Sequence, residues 1–280
     1  MLRWPVFPLI LALLAATAAA DADGPDGLTA LKAGERVTVA ATLDGATLQL
    51  DDGRVLRLAG IDAPQADLPR ADTASGSRRR PAPSLMTLSD AARAALKEIV
   101  EGRELTLYYE ERRNDRYGRI VAHAVREPDL WIETDVLRRG LARVHTTFDT
   151  AAAAAGLLQA EAEARAARRG VWGNAAYRVR RPADLGRTVD SFQIVEGQIS
   201  AVRRGATQTV LTFADAGPRP ASVVIPSTAR RNFRAAGVEP ADLAERSIRV
   251  RGWVRWQSGP VIDVDHPAQI EVLNATPARR

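Results

Sequence analysis

The amino-acid sequence predicts a mainly β, mixed α+β protein: a β-barrel carrying helices, then a linker, then a second small barrel. Three observations lead there. From Glu35 the text alternates apolar and polar residues in short runs, broken by turns at Asp44-Gly45 and Asp51-Asp52-Gly53, which is the pattern of a β-meander. From Ile194 onward a second set of short strand-like runs appears, enough to close another small barrel. Between them the composition turns to arginine, proline and glycine over residues 178–189.

The elements follow in order. Arg3, an apolar run over residues 4–20 and the small-residue exit Ala18-Ala19-Ala20 predict a signal peptide over 1–20, hence a periplasmic or secreted mature chain. That run falls short of a membrane span, and Pro5 and Pro8 suit one poorly, so no span is expected after cleavage. Strands are predicted over 36–40, 47–50 and 54–58. Residues 66–86, with Pro69, Gly76 and the triplet Arg78-Arg79-Arg80, read as a solvated loop. A helix is expected over 89–100, with Ser89 as its N-cap and Gly102 past its end.

Leu105, Leu107 and Tyr109 alternate as a strand, and the turn Arg116-Tyr117-Gly118 leads to another at 120–122. A short helix over 133–139 is closed by Gly140, and a longer alanine-rich one covers 150–169 before Gly170, with Glu161 and Glu163 read as a solvated face. In the second half strands are expected over 194–202, 210–213, 222–225, 248–256 and 261–264, with a helix over 227–236. The domain plan is therefore 33–177, a linker over 178–189, and 190–275.

Composition excludes several chemistries. With 46% hydrophobic and 26% charged residues among 280, the chain is globular. It has no cysteine, which removes disulfides, thiol nucleophiles and thiolate metal sites. Its histidines, His123, His145 and His266, stand too far apart to show a metal-ligand spacing, and His123 and His145 read as structural. The net charge is +5 with a pI of 10.1, and all but two of the 39 basic residues are arginine. An arginine-rich composition accounts for this as well as a phosphate-binding surface does, so charge alone selects no partner.

Three stretches carry more. They are Asp44-Gly45-Ala46-Thr47 followed by Arg57-Leu58-Ala59-Gly60-Ile61-Asp62-Ala63-Pro64-Gln65; then Asn114-Asp115-Arg116-Tyr117-Gly118-Arg119; then Arg139-Gly140-Leu141-Ala142-Arg143-Val144. In their order and spacing over residues 35–177 they resemble the staphylococcal nuclease family. The resemblance implies an OB-type five-stranded barrel carrying three helices, and Ca²⁺-dependent hydrolysis of phosphodiesters in DNA and RNA. It implies that Arg57 and Arg119 hold phosphate, that Asp62 is a calcium carboxylate, and that the backbone carbonyl of Ala63 is a further ligand.

Two positions depart from the family pattern. Ala46 stands where a second calcium carboxylate is implied, and Gln65 stands at the general-base position. Calcium wants six to eight oxygens with carboxylates setting the affinity, so one carboxylate fewer weakens it. An amide orients a water but accepts no proton, and a general base is worth about 10²–10⁴-fold. The expectation is a phosphate-binding protein whose nuclease chemistry is strongly weakened or lost, with Ca²⁺ bound weakly if at all and single-stranded DNA or RNA as partner. Asp44 and Asp67 are the residues from which an active nuclease would rebuild its metal site; an envelope protein-interaction module is the third reading.

In the second barrel, alternation along 248–256 puts Arg249, Arg251, Trp253 and Arg255 on one face, a platform for single-stranded nucleic acid or a solvated barrel exterior. Asp263, Asp265 and His266 read as a strand end turning at Pro267.

Overall fold

The computed structural model describes residues 25, 27–65, 83–214 and 219–273. The predicted signal peptide, the Arg78-Arg79-Arg80 triplet and Asp67 lie outside these residues.

The first unit begins with β1 (Lys32–Asp44), β2 (Thr47–Leu50) and β3 (Val55–Leu58), the predicted meander, with short β4 (Ile61–Asp62) after it. α1 (Pro83–Val100), β5 (Glu104–Tyr109), β6 (Ile120–Arg126), β7 (Leu130–Trp131), α2 (Ile132–Arg138), β8 (Arg143–Val144) and α3 (Ala154–Ala166) complete it. β1 is long because it serves two ladders. Its second half pairs with β2 and its first half with β5, with register shifts at Ala33/Arg36, Val39/Ala41 and Thr42/Asp44 that let it curl. A parallel pairing of β3 with β6 closes five strands into a barrel.

The second unit repeats this pairing order. β9 (Ser191–Arg204) pairs with β10 (Gln208–Phe213) through one half and with β12 (Ser247–Trp256) through the other. β11 (Ser222–Pro226) runs parallel to β13 (Pro260–Asp263), which returns to β12 and closes the second barrel. Between β11 and β12 lie a 3-10 turn and α4 (Arg230–Ala235); β14 (Ile270–Val272), absent from the sequence reading, pairs with β12. Both units are thus closed five-stranded barrels of the OB type. Among the described residues no helix is long and apolar enough to cross a membrane.

Helix bounds differ from expectation at the proline-rich start of α1, which begins at Pro83 rather than Ser89. Proline is tolerated in a first helical turn, where its missing N–H has no intrahelical partner anyway. Within the stretch read as linker, Pro182–Arg187 is a 3-10 helix whose Leu185 is buried in the second barrel's core. Ala164, Val171 and Trp172 of the first unit pack with Phe192 and Ile194 of the second, so apolar surface joins the two barrels.

The helical cap of the first barrel depends on a close approach of two glycines. Gly140, at φ +71°, and Gly170, at φ +51°, face each other's backbone; a Cβ on Gly140 would lie 2.2 Å from the carbonyl oxygen of Arg169. The Val171 N–H donates to the Gly140 carbonyl across the same contact, at 2.8 Å. Gly140→Ala is expected to cost about 2 kcal/mol in urea unfolding, from the left-handed backbone and the clash together. An unchanged midpoint would show that the contact relaxes without cost.

Glu161 does not sit on a solvated face as the sequence reading had it. It is 0% exposed, on the stripe Ala154, Leu157, Ala160, Glu161, Ala164 that α3 buries. The second barrel supplies the cover, because Arg251 of β12 inserts against it. Arg251 Nη1 donates to Glu161 Oε1 at 3.1 Å and to the Val144 carbonyl at 3.2 Å; Nη2 donates to Glu161 Oε2 at 2.9 Å and to Glu271 Oε1 at 2.6 Å. Burial opposes the charge on Glu161, yet Arg251 outweighs it and holds the carboxyl below its ordinary range. Alanine-rich text gives a weak face signal, and no local pattern records that another domain arrives.

Candidate phosphate-binding site

Strand alternation on β3 sends Leu56 and Leu58 into the core and leaves Arg57 on the other side. Its guanidinium turns back over two loops, donating from Nη1 to the Ala46 carbonyl at 3.1 Å and from Nη2 to the Ile61 carbonyl at 2.9 Å. Two of its five N–H groups are thereby used, which pins the side chain and leaves donors for a ligand. Burial pulls its pKa down from the ordinary arginine value, while Asp62 and then Asp44 pull it up and Arg119 pulls it down. One guanidinium thus feels two carboxylates and a second cation, so residues far apart in sequence form one electrostatic cluster.

The closing β3–β6 ladder, with Leu56 opposite Ile120, brings Arg119 to that cluster from the residue just before β6. A turn with Gly118 at φ +77° presents it. Asp115 organises the turn, accepting the backbone N–H of Tyr117 at 2.9 Å and of Arg119 at 3.0 Å on Oδ1, and Arg119 Nε at 2.6 Å on Oδ2. Burial works against the charge of Asp115, but these donors outweigh it and hold the carboxyl below its usual range. Tyr117, 68% exposed, lies under Arg116 and Arg119, 4.8 and 5.4 Å from its ring centre.

Ala46 is fully buried in the barrel core. Its N–H donates to Asp44 Oδ1 at 2.7 Å, so Asp44 serves the turn between β1 and β2. Asp62 pairs across the ladder with Arg143 of β8, whose Nη2 lies 3.4 Å from Asp62 Oδ2. Ala63 is buried and its methyl packs against the backbone of Gly45, while Gln65 is exposed. The donor set therefore does not fit the calcium ion that the resemblance implies. A methyl replaces one carboxylate, Asp44 is bonded to a backbone amide, and Asp62 faces a guanidinium. Among the described residues no three His, Asp or Glu side chains are placed to share an ion.

Arg143 is a residue that sequence reasoning quoted without assigning it a role. Besides Asp62 it contacts the Tyr177 and Phe192 rings at 4.8 and 5.0 Å, and its Nη1 donates to the Phe192 carbonyl at 3.4 Å. Phe192 belongs to β9, so the second barrel touches the group that faces Asp62. His145 stacks edge-on against the same ring at 4.7 Å, and Thr146 Oγ1 lies 2.8 Å from His266 Nε2. The local strand pattern around Arg143 carried no sign of this cross-domain packing.

The face of β12 is arranged as alternation predicts, with Ile248, Val250 and Val254 inward. Its arginines are not free. Arg249 pairs with Glu196 at 2.6 Å and Glu271 at 3.0 Å, Arg255 chelates the carboxylate of Asp263, and Arg251 is buried between the barrels. Trp253 remains open, at 52% exposed. Of the predicted platform, Arg251 has no surface to offer a ligand.

Residues 55–174 match the family model described as staphylococcal nuclease homologue. That span includes Arg57, Asp62, Gln65 and Arg119, and excludes Asp44 and Ala46. No curated protein matches the chain. The barrel topology, the convergence of Arg57 with Arg119 and the family match agree: residues 55–174 belong to a staphylococcal nuclease homologue domain, followed by a second barrel of the OB type.

Proposed function

We propose that this chain is an exported nucleic-acid-binding protein that holds phosphate through Arg57 and Arg119, with single-stranded DNA or RNA as its ligand and with calcium-dependent cleavage strongly weakened or lost. The observation that carries the reading is the cluster itself. Two guanidiniums are held in place by backbone carbonyls and by Asp115, while the carboxylates beside them are committed to protein donors. Charge-assisted, bidentate contacts to phosphate need only the first of these features. Hydrolysis also needs charge neutralisation at the metal and a proton acceptor, and positions 46 and 65 carry alanine and glutamine.

The test is release of acid-soluble nucleotide from single-stranded DNA and RNA in millimolar calcium and in EDTA, run beside oligonucleotide binding by fluorescence anisotropy in EDTA. The expected result is binding without calcium-stimulated release. Arg57→Ala/Arg119→Ala is expected to weaken binding about tenfold or more at low salt, and to flatten the salt dependence by about 0.7 per lost phosphate contact. Release that requires calcium and both arginines would show that the site is rebuilt with a carboxylate such as Asp44 or Asp67, and would overturn the proposal.

A further inference from the structure

The cations of the second barrel that lack carboxylate partners are not on β12. They lie at the barrel's other side, where the turn between β9 and β10 meets α4. Arg204 at the end of β9, with Arg230 and Arg234 of α4, lines a cleft of about 50 Å³ floored by Phe233 and Thr209 and walled by Val238 and Pro240. Glu239 is the one acidic residue on its rim. Among the described residues none of these three arginines forms an ion pair, whereas Arg249, Arg251 and Arg255 all do. Arg230 is anchored by donating from Nη2 to the Gly205 carbonyl, and its buried Nε has no acceptor. A buried guanidinium N–H without an acceptor is costly, and a bound oxygen at that point would relieve it.

We infer that this cleft is a second phosphate-binding site, which takes a backbone phosphate of single-stranded nucleic acid between Arg204, Arg230 and Arg234. Three guanidiniums against one carboxylate give it the sign for an anion. Its volume exceeds the roughly 30 Å³ share of one water and suits a single tetrahedral oxyanion rather than a nucleoside. The Phe233 ring is buried, so no aromatic stacks a base here and recognition is of the backbone alone. The inference rests on the proposed function in naming nucleic acid as the source of the phosphate. It differs in place, since the earlier site is on the first barrel.

The experiment compares wild type, Arg204→Gln/Arg234→Gln and Arg57→Ala/Arg119→Ala for binding a fluorescein-labelled single-stranded oligonucleotide in EDTA, from 0.05 to 0.5 M salt. Arg204 and Arg234 are exposed, so their substitution should leave the thermal melt unchanged. The expected result is a log–log salt slope lowered by about 1.4, for two lost phosphate contacts, with affinity about tenfold or more weaker at 0.1 M salt. An unchanged slope in Arg204→Gln/Arg234→Gln, with weakened binding in Arg57→Ala/Arg119→Ala, would overturn this inference alone. Weakening only in Arg204→Gln/Arg234→Gln would uphold it and overturn the first-barrel site. No binding by wild type would overturn both.

Discussion

Arg251→Met is expected to lower stability by about 3–5 kcal/mol in urea unfolding, the usual cost of leaving a buried charge without its partner. Arg251 is 1% exposed and Glu161 0%, and their two paired hydrogen bonds cross from the second barrel to the first. With Arg251 gone, Glu161 keeps only the Val144 N–H at 2.8 Å and Arg165 at 2.9 Å, and Val144 loses a donor on its carbonyl. Adding Glu161→Gln removes the stranded charge, so Glu161→Gln/Arg251→Met should lose less than the two single variants summed. A change below about 1 kcal/mol in Arg251→Met would show that the barrels do not depend on this pair.

The stability of the first barrel should fall between pH 6.5 and about 9. His123 lies with Nε2 2.9 Å from Glu110 and Nδ1 3.4 Å from Glu133, both carboxylates being nearly or fully buried. Burial opposes the imidazolium, but the two carboxylates outweigh it and hold the pKa up at about 9, against an ordinary value of 6.5. The folded-state value is the higher one. The stabilisation is therefore complete below the unfolded value and is lost as pH rises through the folded one, a loss on the order of 3 kcal/mol. His145 acts with the opposite sign. Burial lowers its value despite Asp62, so its protonation on acidification below 6.5 disfavours the fold. Proton NMR of the His123 ring should show a midpoint near 9, and His123→Gln should abolish the fall in unfolding free energy over that range. A His123 midpoint at or below 6.5 would refute the assignment.

Much of this architecture was legible before any coordinates. The Asp44-Gly45 and Asp51-Asp52-Gly53 turns marked the meander, because hairpin turns are local and their residue preferences are steric. Period-two alternation gave the outward side of β12 with Arg249, Arg251, Trp253 and Arg255 in register. The motif stretches around Arg57 and Arg119 pointed to the phosphate cluster, and the β3–β6 ladder brings them together. Helix starts were less legible at α1, where Pro83 suggested a loop although a first turn accepts proline.

What the sequence by itself determined is whatever depends on a residue and its near neighbours: turns, strand faces, helix stops at Gly102 and Gly140, and the absence of a carboxylate at position 46 and of a base at 65. What only the tertiary structure decided is how each charge is spent. Glu161 on an alanine-rich helix and Arg251 on an outward strand face both read as solvated from local pattern, and each is buried because the other arrives from 90 residues away. His123 is charged because Glu110 and Glu133 converge on it, and Asp44 is unavailable because the Ala46 amide needs its oxygen. Burial and ion pairing depend on distances between elements, which no periodicity encodes, so partner choice among charged groups is settled only when the two barrels close and dock.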